Sequence, residues 1–108
     1  MNGTLNELYN VIVNRRNKPV EGSYTCYLLE QGLNKILKKC GEECSEVIIA
    51  AKDGNSDEIK SEVADLIYHL LVLLVERDIT LDEIDLILAE RAKKIGNLKT
   101  FHKFDLHS

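Results

Sequence analysis

Apolar residues Leu5, Leu8, Tyr9, Ile12 and Val13 fall three and four apart, the spacing of one helix face, and predict a first helix over about residues 4–16. Thr4-x-x-Glu7 reads as a capping box at its start, and Arg15 and Arg16 sit where last-turn carbonyls favour cations. Pro19 and Gly22 break the pattern, so residues 17–22 read as a loop and Ser23 as the N-cap of the next helix. Helical spacing resumes at Tyr24 and runs to about Asp53, weakened at Gly32 and Gly41, each worth about 1 kcal/mol against Ala in a helix interior. A kink or break is expected near Gly32, while Gly41 either admits a close neighbour or is simply tolerated. The Gly54-Asn55 break folds the next helix back, with Ser56 as its cap, Asp57 and Glu58 in its first turn, and its end near Arg77. Thr80-x-x-Glu83 is a further capping box, opening a helix whose apolar face is Leu81, Ile84, Ile87, Leu88 and Ile95 and which stops at Gly96.

These elements predict an all-α chain, a bundle of four to five helices in a single domain spanning 1–108, with a helical core over about 4–95. The tail 96–108 has no clear period and reads as irregular, with His102 and His107 as bystanders. The run from Val63 to Val75 is interrupted only by Asp65 and His69, four apart, which continue a stripe begun at Glu62. A helix apolar over the rest of its circumference must be covered on most sides, which points to a homodimer sharing this core. The run is too short for the roughly 20 residues a membrane span needs. His69 reads as a satisfied core histidine at a helix interface, the alternative being a group that orients Asp65.

The formal net charge of −4 and a pI near 5.3 leave no basic stripe for nucleic acid. Cys26, Cys40 and Cys44 are an odd number without a C-x-x-C, and the N-terminus lacks the basic and apolar regions of a signal peptide, so a reducing cytoplasm is expected. Cys40 and Cys44 share a helix face but make a poor zinc pair, and read as small buried apolar residues.

The chemistry lies in the acidic positions. Glu42-Glu43-x-x-Glu46 is followed, after fifteen intervening residues, by Glu62-x-x-Asp65. Residues three apart share a helix face, so Glu43 with Glu46, and Glu62 with Asp65, form two carboxylate pairs that the Gly54-Asn55 turn brings together. Converging like charges would raise their own pKa values unless a cation sat among them. Oxygen-only ligands suit Mg²⁺, with Mn²⁺ as a substitute; the alternative is a solvated acidic face. Such a site polarises a phosphoryl oxygen and activates water, which suits hydrolysis of a nucleotide polyphosphate. Lys35, Lys38 and Lys39, one to two turns before Glu42, would supply countercharge to the phosphates, or form an ordinary solvated surface. There is no Walker-type phosphate loop and no Glu-x-x-His pair of a di-iron bundle.

E-E-x-x-E followed by E-x-x-D resembles the signature of the all-α nucleoside triphosphate pyrophosphatases, the MazG-like superfamily. The stretch Ser23-Tyr24-Thr25-x-x-Leu28-Leu29, Gly32, Lys35-Ile36, Lys38-Lys39, Gly41-Glu42-Glu43, Glu46 and Ala64-Asp65-Leu66-x-Tyr68-His69 narrows the resemblance to the phosphoribosyl-ATP pyrophosphohydrolase family. The resemblance implies Mg²⁺-dependent hydrolysis of phosphoribosyl-ATP to phosphoribosyl-AMP and pyrophosphate in histidine biosynthesis, by a homodimer with intertwined helices. Mapped onto the motif, Glu43, Glu46, Glu62 and Asp65 are metal ligands, Glu42 a further ligand or water-orienting base beside Glu43 and Glu46, and Lys35, Lys38 and Lys39 phosphate contacts. The family is often fused to a cyclohydrolase domain, and a chain of 108 residues is expected to be the stand-alone form. Two rival readings remain: a house-cleaning pyrophosphatase for dUTP, dCTP or modified nucleotides, and a non-catalytic, metal-stabilised helical interaction module.

Overall fold

The computed structural model describes residues 3–94, and among them the chain forms α1 (Gly3–Asn17), α2 (Tyr24–Gln31), α3 (Leu33–Asp53), α4 (Ser56–Glu76) and α5 (Leu81–Lys94), with no strand. The all-α bundle expected from the periodicity is therefore present. The predicted end of the last helix at Gly96, and the tail beyond it, lie outside the described residues.

Local chemistry explains where the helices stop. Gly32 adopts φ 91° and ψ −173°, a conformation L side chains rarely adopt, so helical φ/ψ cannot continue through it. Its amide donates to the Leu28 carbonyl at 3.0 Å to close α2, and its carbonyl accepts from the Ile36 amide at 3.2 Å to open α3. The break expected there is complete. Gly41, by contrast, lies inside α3 with open space where a Cβ would stand, so nothing among the described residues needs its smallness. Gly54 is left-handed at φ 75° and donates to the carbonyls of Ala50 and Ala51, and the chain turns back into α4.

Three capping residues were expected besides Thr80, and one is placed as expected. Ser23 Oγ accepts from the Cys26 amide at 3.2 Å. At the next helix Asn55, not Ser56, is the cap: its Oδ1 accepts from Asp57 N and Glu58 N at 3.0 and 3.1 Å, which leaves Ser56 as the first helical residue. Thr4 falls within the first turn of α1 rather than at its cap, because the helix already includes Gly3. Thr80 and Glu83 form the reciprocal box, Thr80 N to Glu83 Oε2 at 2.9 Å and Glu83 N to Thr80 Oγ1 at 3.3 Å.

α3 and α4 pack as a hairpin along most of their length, with α1 and α2 laid against it. Ile12, Leu28, Ile36, Val72 and Val75 are wholly buried, and Cys40, Leu71 and Leu81 complete the core. Three contacts between residues far apart in sequence pin α1 to the end of α4 and the turn after it. The Tyr9 hydroxyl donates to the Ile79 carbonyl at 2.7 Å, and Arg16 donates to the Val75 carbonyl at 2.6 Å while pairing with Asp78 at 2.9 Å.

Two apolar assignments differ from expectation. Cys40 is buried, but Cys44 is exposed, because the inward stripe of α3 runs Ile36, Cys40, Glu43, Ala50 and so passes one position before it. On α5 Leu81 is buried, whereas Ile87 and Leu88 remain about half exposed. Ile48, Ile49, Ile67 and Leu70 on the α3–α4 hairpin are also exposed. No helix among the described residues is long and apolar enough to cross a membrane.

Candidate metal centre

The α3–α4 turn sets the register of the two acidic motifs. Glu43 belongs to the inward stripe of α3 and is 8% exposed, and Glu62 and Asp65 lie one turn apart on the facing side of α4. One carboxylate oxygen from each of Glu43, Glu62 and Asp65 lies within 4.8 Å of the others. Two oxygens bonded to one Mg²⁺ at about 2.1 Å can be at most about 4.2 Å apart, so sharing an ion requires only side-chain adjustment.

Glu46, one turn on from Glu43, is more exposed but lies close enough to the carboxyl groups of Glu43 and Glu62 to share a proton with either. Two carboxyl groups can hydrogen-bond only by sharing a proton, and the electrostatics follow. Glu62 is pushed up to about 7, first by its hydrogen bond with Glu46, then by burial and the charges of Glu46, Asp65 and Glu43. Glu43 is raised first by burial and then by Glu46, with His69 opposing. Even so, Glu43 Oε2 and Glu62 Oε2 are enclosed without a hydrogen-bond partner. A buried carboxylate oxygen left unpaired is costly, and an oxygen-only donor set with excess negative charge fits a hard divalent cation.

The remaining expected site residues are placed differently. Glu42 points aside and pairs with Lys39 at 3.6 Å, with no close approach to the cluster. Lys39 is raised above its ordinary value by Tyr24 and then by Glu42. Lys35 stands 5.8 Å above the Tyr27 ring, and Lys38 is exposed.

Beyond His69, sequence reasoning assigned no part to the polar and aromatic group that joins α2 to α4. Tyr24 and Thr25 begin α2, and they meet Tyr68 and His69 of α4: Thr25 Oγ1 hydrogen-bonds the Tyr68 hydroxyl, and the Tyr24 hydroxyl lies 3.0 Å from His69 Nε2. His69 is buried with both ring nitrogens bonded, as expected of a satisfied core histidine. The only signal was the Ser-Tyr-Thr block itself, because partners more than forty positions apart leave no trace in periodicity.

The family model described as phosphoribosyl-ATP pyrophosphohydrolase matches residues 5–92. A Clostridium botulinum (strain Hall) protein named phosphoribosyl-ATP pyrophosphatase is 52% identical over 102 residues, covering 94% of this chain and 93% of its own. A Bacillus cytotoxicus protein of the same name is 48% identical over 105 residues, or 97% of this chain and 98% of that one. A Caldanaerobacter subterraneus protein named histidine biosynthesis bifunctional protein HisIE is 60% identical over 90 residues, which are 83% of this chain but 44% of that longer one.

Proposed function

The chain belongs to the phosphoribosyl-ATP pyrophosphohydrolase family, and from that premise we propose that it hydrolyses phosphoribosyl-ATP to phosphoribosyl-AMP and pyrophosphate, a step of histidine biosynthesis, with Mg²⁺ held by Glu43, Glu46, Glu62 and Asp65. The observation that carries this reading is the meeting of two acidic helix faces with two enclosed carboxylate oxygens left unpaired. Bound Mg²⁺ would supply phosphoryl polarisation and a water of lowered pKa.

The chain's own residues supply the rest. Glu43, Glu62 and Asp65 sit closest together and furnish the ligand oxygens. Glu46, more accessible than Glu43 and Glu62 and beside both, adds a further ligand oxygen and would also orient the attacking water and accept its proton. The water oxygen bonds to the α-phosphorus, the bond to the bridging oxygen breaks, and pyrophosphate leaves in one piece. Lys35, Lys38 and Lys39 line the approach along α3 as countercharge for the phosphates, and the Glu42–Lys39 pair makes Glu42 the residue that holds Lys39 in place.

A homodimer in the cytoplasm is part of the proposal. Ile48 and Ile49 are 64% and 60% exposed, and the radius of gyration is 16.2 Å, against about 13 Å for a compact chain of this size. A second copy would cover these surfaces. The deciding experiment is product analysis with phosphoribosyl-ATP and Mg²⁺. Equimolar phosphoribosyl-AMP and pyrophosphate are expected, with turnover lost in Glu46→Gln and dUTP or dCTP turned over far more slowly. Orthophosphate as product, or undiminished turnover in Glu46→Gln, would refute the reading.

A further inference from the structure

His69 is 5% exposed and joins two helices through opposite edges of its ring. Nδ1 lies 2.7 Å from the main-chain carbonyl of Asp65, and Nε2 lies 3.0 Å from the Tyr24 hydroxyl. A carbonyl oxygen only accepts, so the network assigns the proton to Nδ1 and leaves Nε2 to accept from Tyr24. Both ends of this chain of bonds lie at the candidate centre. Asp65 is one of the acidic cluster, while Tyr24 is close enough to Lys39 and Glu43 to feel both charges. The Tyr24 ring also packs edge-on against His69, with centroids 5.7 Å apart, and stacks on Tyr68 at 6.2 Å. α2 is only 8 residues long and has few buried side chains of its own, so a polar pin of this kind governs how it docks.

We propose that Tyr24 is a positioning residue which, through its hydrogen bond to His69 and the bond from His69 to the Asp65 carbonyl, holds the Asp65 turn of α4 in register within the acidic cluster, and so sets the affinity of the site for a divalent cation. This rests on the proposed metal-binding role of the acidic cluster. The ring packing alone would hold Tyr24 in place, but the rotation of the imidazole is held by bonds at both of its nitrogens, the Asp65 carbonyl on one side and the Tyr24 hydroxyl on the other. Removing the hydroxyl leaves a buried ring nitrogen without a partner, and His69 must turn or draw in water beside Glu43.

The test compares wild type, Tyr24→Phe and Glu62→Gln as full chains. Mn²⁺ binding is titrated by the electron paramagnetic resonance signal of the free ion, and metal-free thermal unfolding is followed in parallel. Tyr24→Phe should unfold cooperatively yet bind Mn²⁺ about tenfold more weakly, near the low end of what removing an outer partner of a metal ligand does. Its kcat on phosphoribosyl-ATP should fall while KM changes little. A merely structural role would lower the unfolding temperature and leave Mn²⁺ affinity of the folded protein unchanged, and that outcome overturns the proposal. If Tyr24→Phe fails to fold, His69→Asn, which keeps a donor near the Asp65 carbonyl and cuts the link to Tyr24, must show the same tenfold loss. Equal Mn²⁺ binding by wild type and Glu62→Gln would instead remove the metal reading itself, and this proposal with it.

Discussion

Proton release on metal binding is the most direct consequence of crowding carboxyl groups, and Glu62 is where it can be measured. With its pKa pushed up to about 7, the side chain is about nine-tenths protonated at pH 6, half protonated at pH 7 and one-tenth protonated at pH 8. A cation that takes the carboxylate must displace that proton. Its apparent dissociation constant therefore scales as one plus the ratio of protonated to ionised Glu62: about 11 at pH 6, about 2 at pH 7 and about 1.1 at pH 8. Affinity should weaken about tenfold from pH 8 to pH 6, and the raised Glu43 steepens the lower part of the curve. Calorimetric titration of Mn²⁺ in buffers of different ionisation heat counts the protons, about 0.9 per ion at pH 6 and about 0.5 at pH 7 from Glu62 alone. In Glu62→Gln the share of this release that comes from Glu62 should vanish along with most of the affinity. A flat dissociation constant from pH 6 to 8, with no proton set free at pH 7, would refute the reasoning.

Other outcomes are expected of the same structure. Metal-free protein should lose stability as pH rises from about 4.5 to about 7, because Glu62 and Glu43 hold protons in the folded chain that the unfolded chain has released. Urea unfolding in EDTA at pH 5 and 8 reads this, and Mn²⁺ at 100 times its Kd should restore about 2.7 kcal/mol at the higher pH. Gly41→Ala should stabilise the chain by up to about 1 kcal/mol, since Gly41 is helical with open space around it, whereas Gly54→Ala should destabilise it by about 1 kcal/mol at its positive φ; thermal melts of the two should move in opposite directions. Leu28→Ala removes a wholly buried side chain that seats α2 on the core and should cost about 2–5 kcal/mol by chemical denaturation.

The helices were legible because their apolar residues repeat at helical spacing, and Gly32 and Gly54 marked breaks that require positive φ. The acidic faces were legible for a related reason: a three-residue spacing fixes a shared side, and a tight turn between two long helices makes those sides meet. Caps were read less well. Asn55 and Ser56 are both good capping residues in adjacent positions, and only the bonds to Asp57 N and Glu58 N distinguish them. Glu42 shows the limit of motif reading, since it adjoins Glu43 in sequence but lies about 100° around the helix, where Lys39 takes it. The contacts of Tyr24 with His69, and of Arg16 with the turn after α4, arise from packing between distant segments and have no local signature. The apolar face of α5 was visible, but its full partner was not: Ile87 and Leu88 stay about half exposed among the described residues.

Everything chemical depends on one ion being shared across the α3–α4 hairpin. Anomalous diffraction from crystals soaked in Mn²⁺ tests this directly. A peak is expected between the helices, at bonding distance, about 2–2.3 Å, from carboxylate oxygens of Glu43, Glu62 and Asp65, with Glu46 completing the protein ligands. Mn²⁺ bound elsewhere, with those carboxylates still hydrogen-bonded to one another, would contradict the account.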